Sequence, residues 1–191
     1  MKKLIIVLIM LFTSASTYAQ FNKGRKLIGG KVSFSTSPDS DYKSTYFELT
    51  PQFGYFIANN LAVGAGVNYY RQNNSDSYLS TSLQIEPFVR YYFKPGIFVQ
   101  GSYGLGPGKV RTNFPTNTGQ STSERLYNVS SWVGSVGYAL FLNDHVAIEP
   151  LLGYKWRTVN YKATDSNPSE KNSSSSLYFQ VGLQVYLGKR N

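Results

Sequence analysis

No cysteine occurs anywhere in the 191 residues. Disulfide cross-links and thiolate metal centres are therefore excluded, and some other device must hold the fold. Histidine is almost as scarce. His145 is the single one, so a site built from several imidazoles is excluded and any Ser-His-Asp relay would have to use it. No apolar run reaches the roughly 20 residues that a membrane-spanning helix needs. The chain carries no P-loop, no dinucleotide fingerprint and no HExxH, so no cofactor is implied. Positive charge is in excess, +9 in all. Its densest clusters are only Lys23-Gly24-Arg25-Lys26 and Lys189-Arg190. That is too sparse for a nucleic-acid footprint, and an anionic lipid surface is the more natural partner.

The first nineteen residues form a unit of their own. Lys2 and Lys3 precede the apolar run Leu4 to Phe12, and the small-residue stretch Ser14-Ala15-Ser16-Thr17-Tyr18-Ala19 follows. This is the layout of a secretory signal peptide, which predicts an exported mature domain over residues 20–191. Without Lys2 and Lys3 the formal charge falls from +9 to +7. The whole sequence holds sixteen Tyr, twelve Phe and two Trp, all but Phe12 and Tyr18 beyond these nineteen residues. In an exported, cysteine-free chain they fit aromatic girdles at a membrane interface.

The dominant hydrophobic period is two. From Leu177 to Leu187 the odd positions are Leu177, Phe179, Val181, Leu183, Val185 and Leu187, whereas the even ones are Tyr178, Gln180, Gly182, Gln184 and Tyr186. One face suits lipid, and the other is polar and small enough for a crowded lumen. The same alternation predicts eight strands, at about 26–36, 44–56, 61–72, 78–93, 97–106, 126–141, 146–161 and 174–187. The sixth is irregular. Trp132, Val136, Tyr138 and Leu140 give one face while Tyr127, Val129 and Val133 fall on the other, which a bulge near Ser130-Ser131 would reconcile.

The connections alternate in length. Residues 57–60, 94–96 and 142–145 are tight turns, whereas 37–43, 73–77, 107–125 and 162–173 are longer and rich in Ser, Asn, Asp and Thr. Gly104-Leu105-Gly106-Pro107-Gly108 reads as a flexible strand exit. The octapeptide Phe56-Ile57-Ala58-Asn59-Asn60-Leu61-Ala62-Val63 matches Phe141-Leu142-Asn143-Asp144-His145-Val146-Ala147-Ile148 position by position, which suggests two similar four-stranded halves. Pro51, Pro87 and Pro150 lie inside predicted strands, where each removes a ladder hydrogen bond. Bulges near the short-turn rim are the expected accommodation. This pattern predicts an all-β, eight-stranded, antiparallel up-and-down transmembrane barrel, with both termini beside the short turns.

At this point the chain resembles the small outer-membrane barrel families typified by outer-membrane proteins A and X. The most specific residues are Gln180-Val181-Gly182-Leu183-Gln184-Val185-Tyr186-Leu187. They are similar to the assembly signal of such barrels, with Gln180, Gly182, Val185 and Leu187 at its fixed positions. The chain departs from the pattern by continuing to Gly188-Lys189-Arg190-Asn191 instead of stopping on an aromatic residue. The resemblance implies insertion by the barrel-insertion machinery, an outer-membrane location with periplasmic termini, and a monomer.

Period two points Lys31, Glu48, Glu86, Arg90, Glu149, Lys155 and Arg157 into the lumen. An eight-stranded barrel is just wide enough to be filled by its own side chains, so these ions are expected to pair. The expectation is a plugged structural or surface-interaction barrel with no catalytic residues and no metal. The alternatives are a narrow channel for ions or small solutes, a lipid-modifying enzyme and a soluble lipocalin-like barrel. His145, in a turn beside Asp144, is poorly placed for the enzyme. A lumen of Gly, Ser, Gln and charge is a poor apolar pocket for the lipocalin. Among the long loops, Lys109 and Arg111 are candidate contacts for lipopolysaccharide phosphates.

Overall fold

The computed structural model describes residues 21–37, 44–74, 77–93, 96–116, 119–163 and 168–188. The predicted signal peptide, the tip 38–43, the Lys94-Pro95 step, parts of the expected loops over 73–77, 107–125 and 162–173, and the terminal Lys189-Arg190 lie outside them. Nine strand segments occur among the described residues: β1 (Lys26–Ser37), β2 (Ser44–Ala58), β3 (Leu61–Asn74), β4 (Tyr78–Tyr92), β5 (Ile97–Thr116), β6 (Gly119–Tyr138), β7 (Leu140–Phe141), β8 (Val146–Tyr161) and β9 (Glu170–Leu187). Consecutive segments pair antiparallel except β6 and β7, β1 pairs with β9, and β6 pairs with β8. The sheet thereby closes on itself.

Nine segments make eight staves, because β6 and β7 both pair with β8 and are pieces of one strand. The β6–β8 register ends at Gly137↔Leu151 and the β7–β8 register resumes at Leu140↔Ile148. Continued across the break, that register puts Tyr138 opposite Pro150, which has no N–H for the ladder. Pro51 and Pro87 act in the same way. The β2–β3 ladder is interrupted at Pro51 and the β4–β5 ladder at Pro87 and again at Pro107, and both resume in the same register. The expected ring of bulges is therefore absent. Each proline points outward, pairs on one side (Gly30↔Pro51, Ala65↔Pro87, Pro150↔Val181) and leaves a short gap on the other. The register shift that does occur is between Phe56 and Ala58, beside a turn in which Asn60 takes a positive φ.

Two further expectations are corrected. The sixth strand has no bulge at Ser130-Ser131. Its pairing with β5 runs unbroken from Tyr138↔Ile97 to Gly119↔Thr116. Tyr127, Val129 and Val133 are apolar and nevertheless buried in the lumen. The loop expected over 107–125 is mostly a β-hairpin, in which β5 continues to Thr116 and β6 begins at Gly119. Gly104, Gly106 and Gly108 do not end the strand. They face inward, where a Cβ on Gly104 would meet Ser131 Oγ at 2.6 Å and one on Gly108 would enter the Tyr127 ring.

Alternation sorts the side chains. Outward positions carry Phe34, Trp132, Trp156, Leu177 and Phe179, all more than half exposed, with Ile85, Leu83 and Leu183 among the aliphatics. In water so continuous an apolar surface would drive association. Around a closed barrel it is the lipid-facing belt. Both ends of the described chain lie at the short-turn end, where Lys26 pairs with Leu187.

Inward glycines leave room for large rings. Gly137→Ala should drive its Cβ against the Phe98 ring and the Pro150 carbonyl, whereas Gly101 and Gly134, facing outward, have open space. We expect Gly137→Ala to cost about 1–3 kcal/mol, as overpacking does, and Gly101→Ala to lie close to the parent. Urea midpoints of the barrel in lipid vesicles would compare the two.

Candidate functional site

The lumen is layered, and its short-turn end is aromatic. Phe21 enters from the N-terminal segment and stacks on Tyr92 with ring centroids 3.9 Å apart. Phe56 and Phe141 flank it, each at 5.9 Å, and Tyr186 lies 5.7 Å away. The two copies of the sequence repeat thus deliver equivalent phenylalanines to one aromatic cluster, and Ala62 and Ala147, also equivalent, are both fully buried. The anchor is the Asn60 N–H, which donates to the Phe21 carbonyl at 2.7 Å.

Above this cluster sits the first ion pair. Arg90 Nη1 donates to Glu149 Oε2 at 2.7 Å, with both side chains fully buried. Arg90 also donates to Gln100 Oε1 at 2.7 Å and to the Tyr92 hydroxyl at 2.8 Å, and it lies 4.3 Å from the centroid of the Phe98 ring. The Tyr186 hydroxyl donates to Glu149 and lies 2.9 Å from that of Tyr92. Every partner comes from an inward position on β4, β5, β8 or β9, which is why period two brings them together.

A second pair follows, Lys31 Nζ to Glu86 Oε1 at 3.2 Å, with Ser102 Oγ donating to the same oxygen at 2.9 Å. Higher still, Lys155 Nζ donates to Glu48 Oε1 at 2.6 Å. Glu48 accepts from Tyr46 and Asn68 as well. Six of the seven lumen ions predicted from sequence are brought together in pairs. The seventh, Arg157, meets no carboxylate among the described residues. It lies 4.5 Å from the centroid of the Tyr70 ring and donates to the Tyr127 hydroxyl at 3.4 Å.

The remaining sequence candidates are dispersed. Gln180 and Gly182 face the lumen, whereas Val185 and Leu187 face out and pair with Ile28 and Lys26. Lys109 and Arg111 project from the extended hairpin, where Arg111 is paired with Glu124. His145 is exposed in the turn between β7 and β8, its backbone N–H held by Asn143 Oδ1 at 2.8 Å.

Sequence reading missed Arg25 and Phe21. Arg25 is buried and donates to the Tyr186 carbonyl at 3.1 Å and the Asp144 carbonyl at 3.3 Å. In the sequence it falls within the basic cluster Lys23-Gly24-Arg25-Lys26, and extending the inward row from Leu27 by one step picks it out. Phe21 precedes the first strand, so no periodicity marks it. The inner face is also less polar than expected. Phe88, Tyr92, Phe98 and Tyr186 all point inward and form, with Phe56, a core cluster.

Two outcomes follow. Glu149→Gln leaves the Arg90 charge buried without its counter-ion, so we expect a loss of about 3–5 kcal/mol. Replacing both members by Met should recover most of it. Unfolding in vesicles by urea measures both. On the hairpin, the hydrogen bond and charge of Arg111, with Lys109 nearby, hold the Glu124 carboxyl below the usual carboxylate range. A depressed folded value means that the interaction is present above the unfolded carboxylate value and is lost as pH falls through the folded one. A carboxyl-carbon NMR titration should therefore give Glu124 a lower midpoint than in Arg111→Gln.

No family model and no curated protein sequence matches the chain. Solved structures do. The chain is similar to Neisserial surface protein A, with a TM-score of 0.52 at 17% identity over 85% of this chain and 99% of that one. It is similar to the outer membrane protein OprG from Pseudomonas aeruginosa, with a TM-score of 0.54 at 12% identity over 90% and 99%. It is similar also to the translocator domain of the autotransporter NalP from Neisseria meningitidis, with a TM-score of 0.52 at 12% identity over 95% and 69%. With closure, alternation and an apolar belt already established, the fold is that of the small outer-membrane β-barrels, an antiparallel transmembrane barrel of eight staves.

Proposed function

We propose that this chain is a monomeric integral protein of the outer membrane, with both termini in the periplasm and a structural or surface-interaction role. Its lumen is plugged by side chains, and it performs no catalysis. The observation that carries this reading is the stack of Phe21, Phe56, Tyr92, Phe141 and Tyr186 beneath the fully buried Arg90–Glu149 pair. A water path along the axis would have to cross both layers. Buried ion pairs add little to stability, but they fix which side chains meet. The apolar belt and the leader-like first nineteen residues support the location.

A lipid-modifying activity finds little support. The single histidine is exposed at the short-turn end, which is the periplasmic end in this orientation. Outer-leaflet lipid would lie at the other end, where Lys109 and Arg111 project above the belt and can meet lipopolysaccharide phosphates. The last strand, with Gln180, Gly182, Val185 and Leu187, is the segment offered to the barrel-insertion machinery.

The refolded barrel should be silent in a planar bilayer once insertion is confirmed by heat-shifted gel mobility. Discrete, stable conductance steps would favour the narrow-channel alternative. Charge reversal of Lys109 and Arg111 together should weaken retention on immobilised lipopolysaccharide, and unchanged retention would remove that contact from the account.

A further inference from the structure

At the end away from the short turns the lumen widens into a vestibule of about 620 Å³. Its lining draws on both rows of the alternation. Tyr70, Gln84 and Ser131 occupy inward positions and Phe34, Leu177 and Phe179 outward ones, and all border the same cavity. Such a lining is expected where the ladder between two neighbouring strands has ended.

The opening lies between β1 and β9. Their ladder runs from Lys26↔Leu187 to Val32↔Val181 and stops. Beyond that point β1 continues to Ser37 paired with β2, and β9 extends from Gln180 to Glu170 paired with β8. A hydrogen bond from Ser33 Oγ to the Phe179 carbonyl, at 3.3 Å, links the two edges. Phe179 and Leu177 belong to the apolar belt, so the slot begins at hydrocarbon depth. Strand edges are tolerated there only where they border a watery cavity or are covered.

The charge inside the slot is one-sided. Lys155 is engaged by Glu48, and Glu48 is itself saturated by Tyr46 and Asn68. Arg157 faces rings and hydroxyls, and no carboxylate lines the vestibule among the described residues. A guanidinium that meets no carboxylate among the described residues therefore sits in a hydroxyl-rich chamber bordered by the two edges that β1 and β9 leave unpaired with each other.

We infer that this vestibule binds a single-chain anionic amphiphile, its carboxylate or phosphate head on Arg157 and its acyl chain leaving through the slot past Phe34, Leu177 and Phe179. The inference rests on the membrane-barrel reading above. A planar anionic head matches the fork of a guanidinium. The volume suits one small ligand. Two strand edges bounding the exit suit one chain.

The test uses the full barrel in phospholipid vesicles with a long-chain fatty acid that carries a diazirine on its tail. After photolysis, mass spectrometry should find Phe34, Leu177 and Phe179 labelled above the general belt at Trp132 and Trp156. Arg157→Gln should lower labelling at the slot about tenfold, the loss of one charge-assisted contact, and leave the belt unchanged. Ser176→Trp, which fills the vestibule, should do the same, and heat-shifted mobility confirms that both variants fold. The matching diazirine fatty alcohol should show no preference for the slot. Slot labelling equal to the belt, labelling indifferent to Arg157→Gln, or equal labelling by the alcohol overturns the inference while leaving the barrel reading intact. An unlabelled belt overturns both.

Discussion

A backbone that crosses hydrocarbon must satisfy its N–H and C=O groups within the protein, and the rest of this structure depends on that constraint. The chain meets it by closing a sheet, not by forming helices. Closure of β6 on β8 and of β1 on β9 removes the free edges over most of the wall. It also explains why a cysteine-free chain needs no covalent staple. Pro51, Pro87 and Pro150 show how far the constraint can be relaxed. Each gives up part of one ladder and keeps the register, so that the alternation of faces survives on either side.

Once register is fixed, the contents of the lumen follow. A one-residue slip would send Glu149 to lipid and Pro150 into the interior. Six of the seven lumen ions pair, as charge in so narrow a space requires, with Arg157 held instead by rings and a hydroxyl where the lumen widens, and the rings fit because inward glycines make room for them. Gly137 accommodates Phe98, Gly153 accommodates Tyr178, and Gly108 accommodates Tyr127. The inner face thus carries ion pairs at mid-height and aromatics at the short-turn end, with the apolar layer outside.

Much of this was legible in the sequence. Period two identified the staves and the inward row that holds Lys31, Glu48, Glu86, Arg90, Glu149, Lys155 and Arg157. Their pairing partners were not legible, because register between distant strands is set by closure, which no local pattern encodes. Three misreadings have a common source. The bulge at Ser130-Ser131, the strand exit at Gly104–Gly108 and the loop over 107–125 all assumed that inward residues are polar and that glycine ends a strand. Here Tyr127, Val129 and Val133 pack inside, and the glycines are the space in front of them. Phe21 and Arg25 were missed because they precede the first alternating segment. The slot between β1 and β9 depends on where a long-range ladder stops, which is invisible in sequence.

The central claim is that alternate residues of closed staves face lipid and lumen. Because the chain has no native cysteine, single cysteines can be placed along β8 from Ala147 to Trp156 and spin-labelled in vesicles. The account predicts that labels at 148, 150, 152, 154 and 156 are accessible to oxygen dissolved in lipid, and that those at 147, 149, 151, 153 and 155 are shielded from it. Accessibility with no period of two, or with the opposite phase, would contradict the barrel as described.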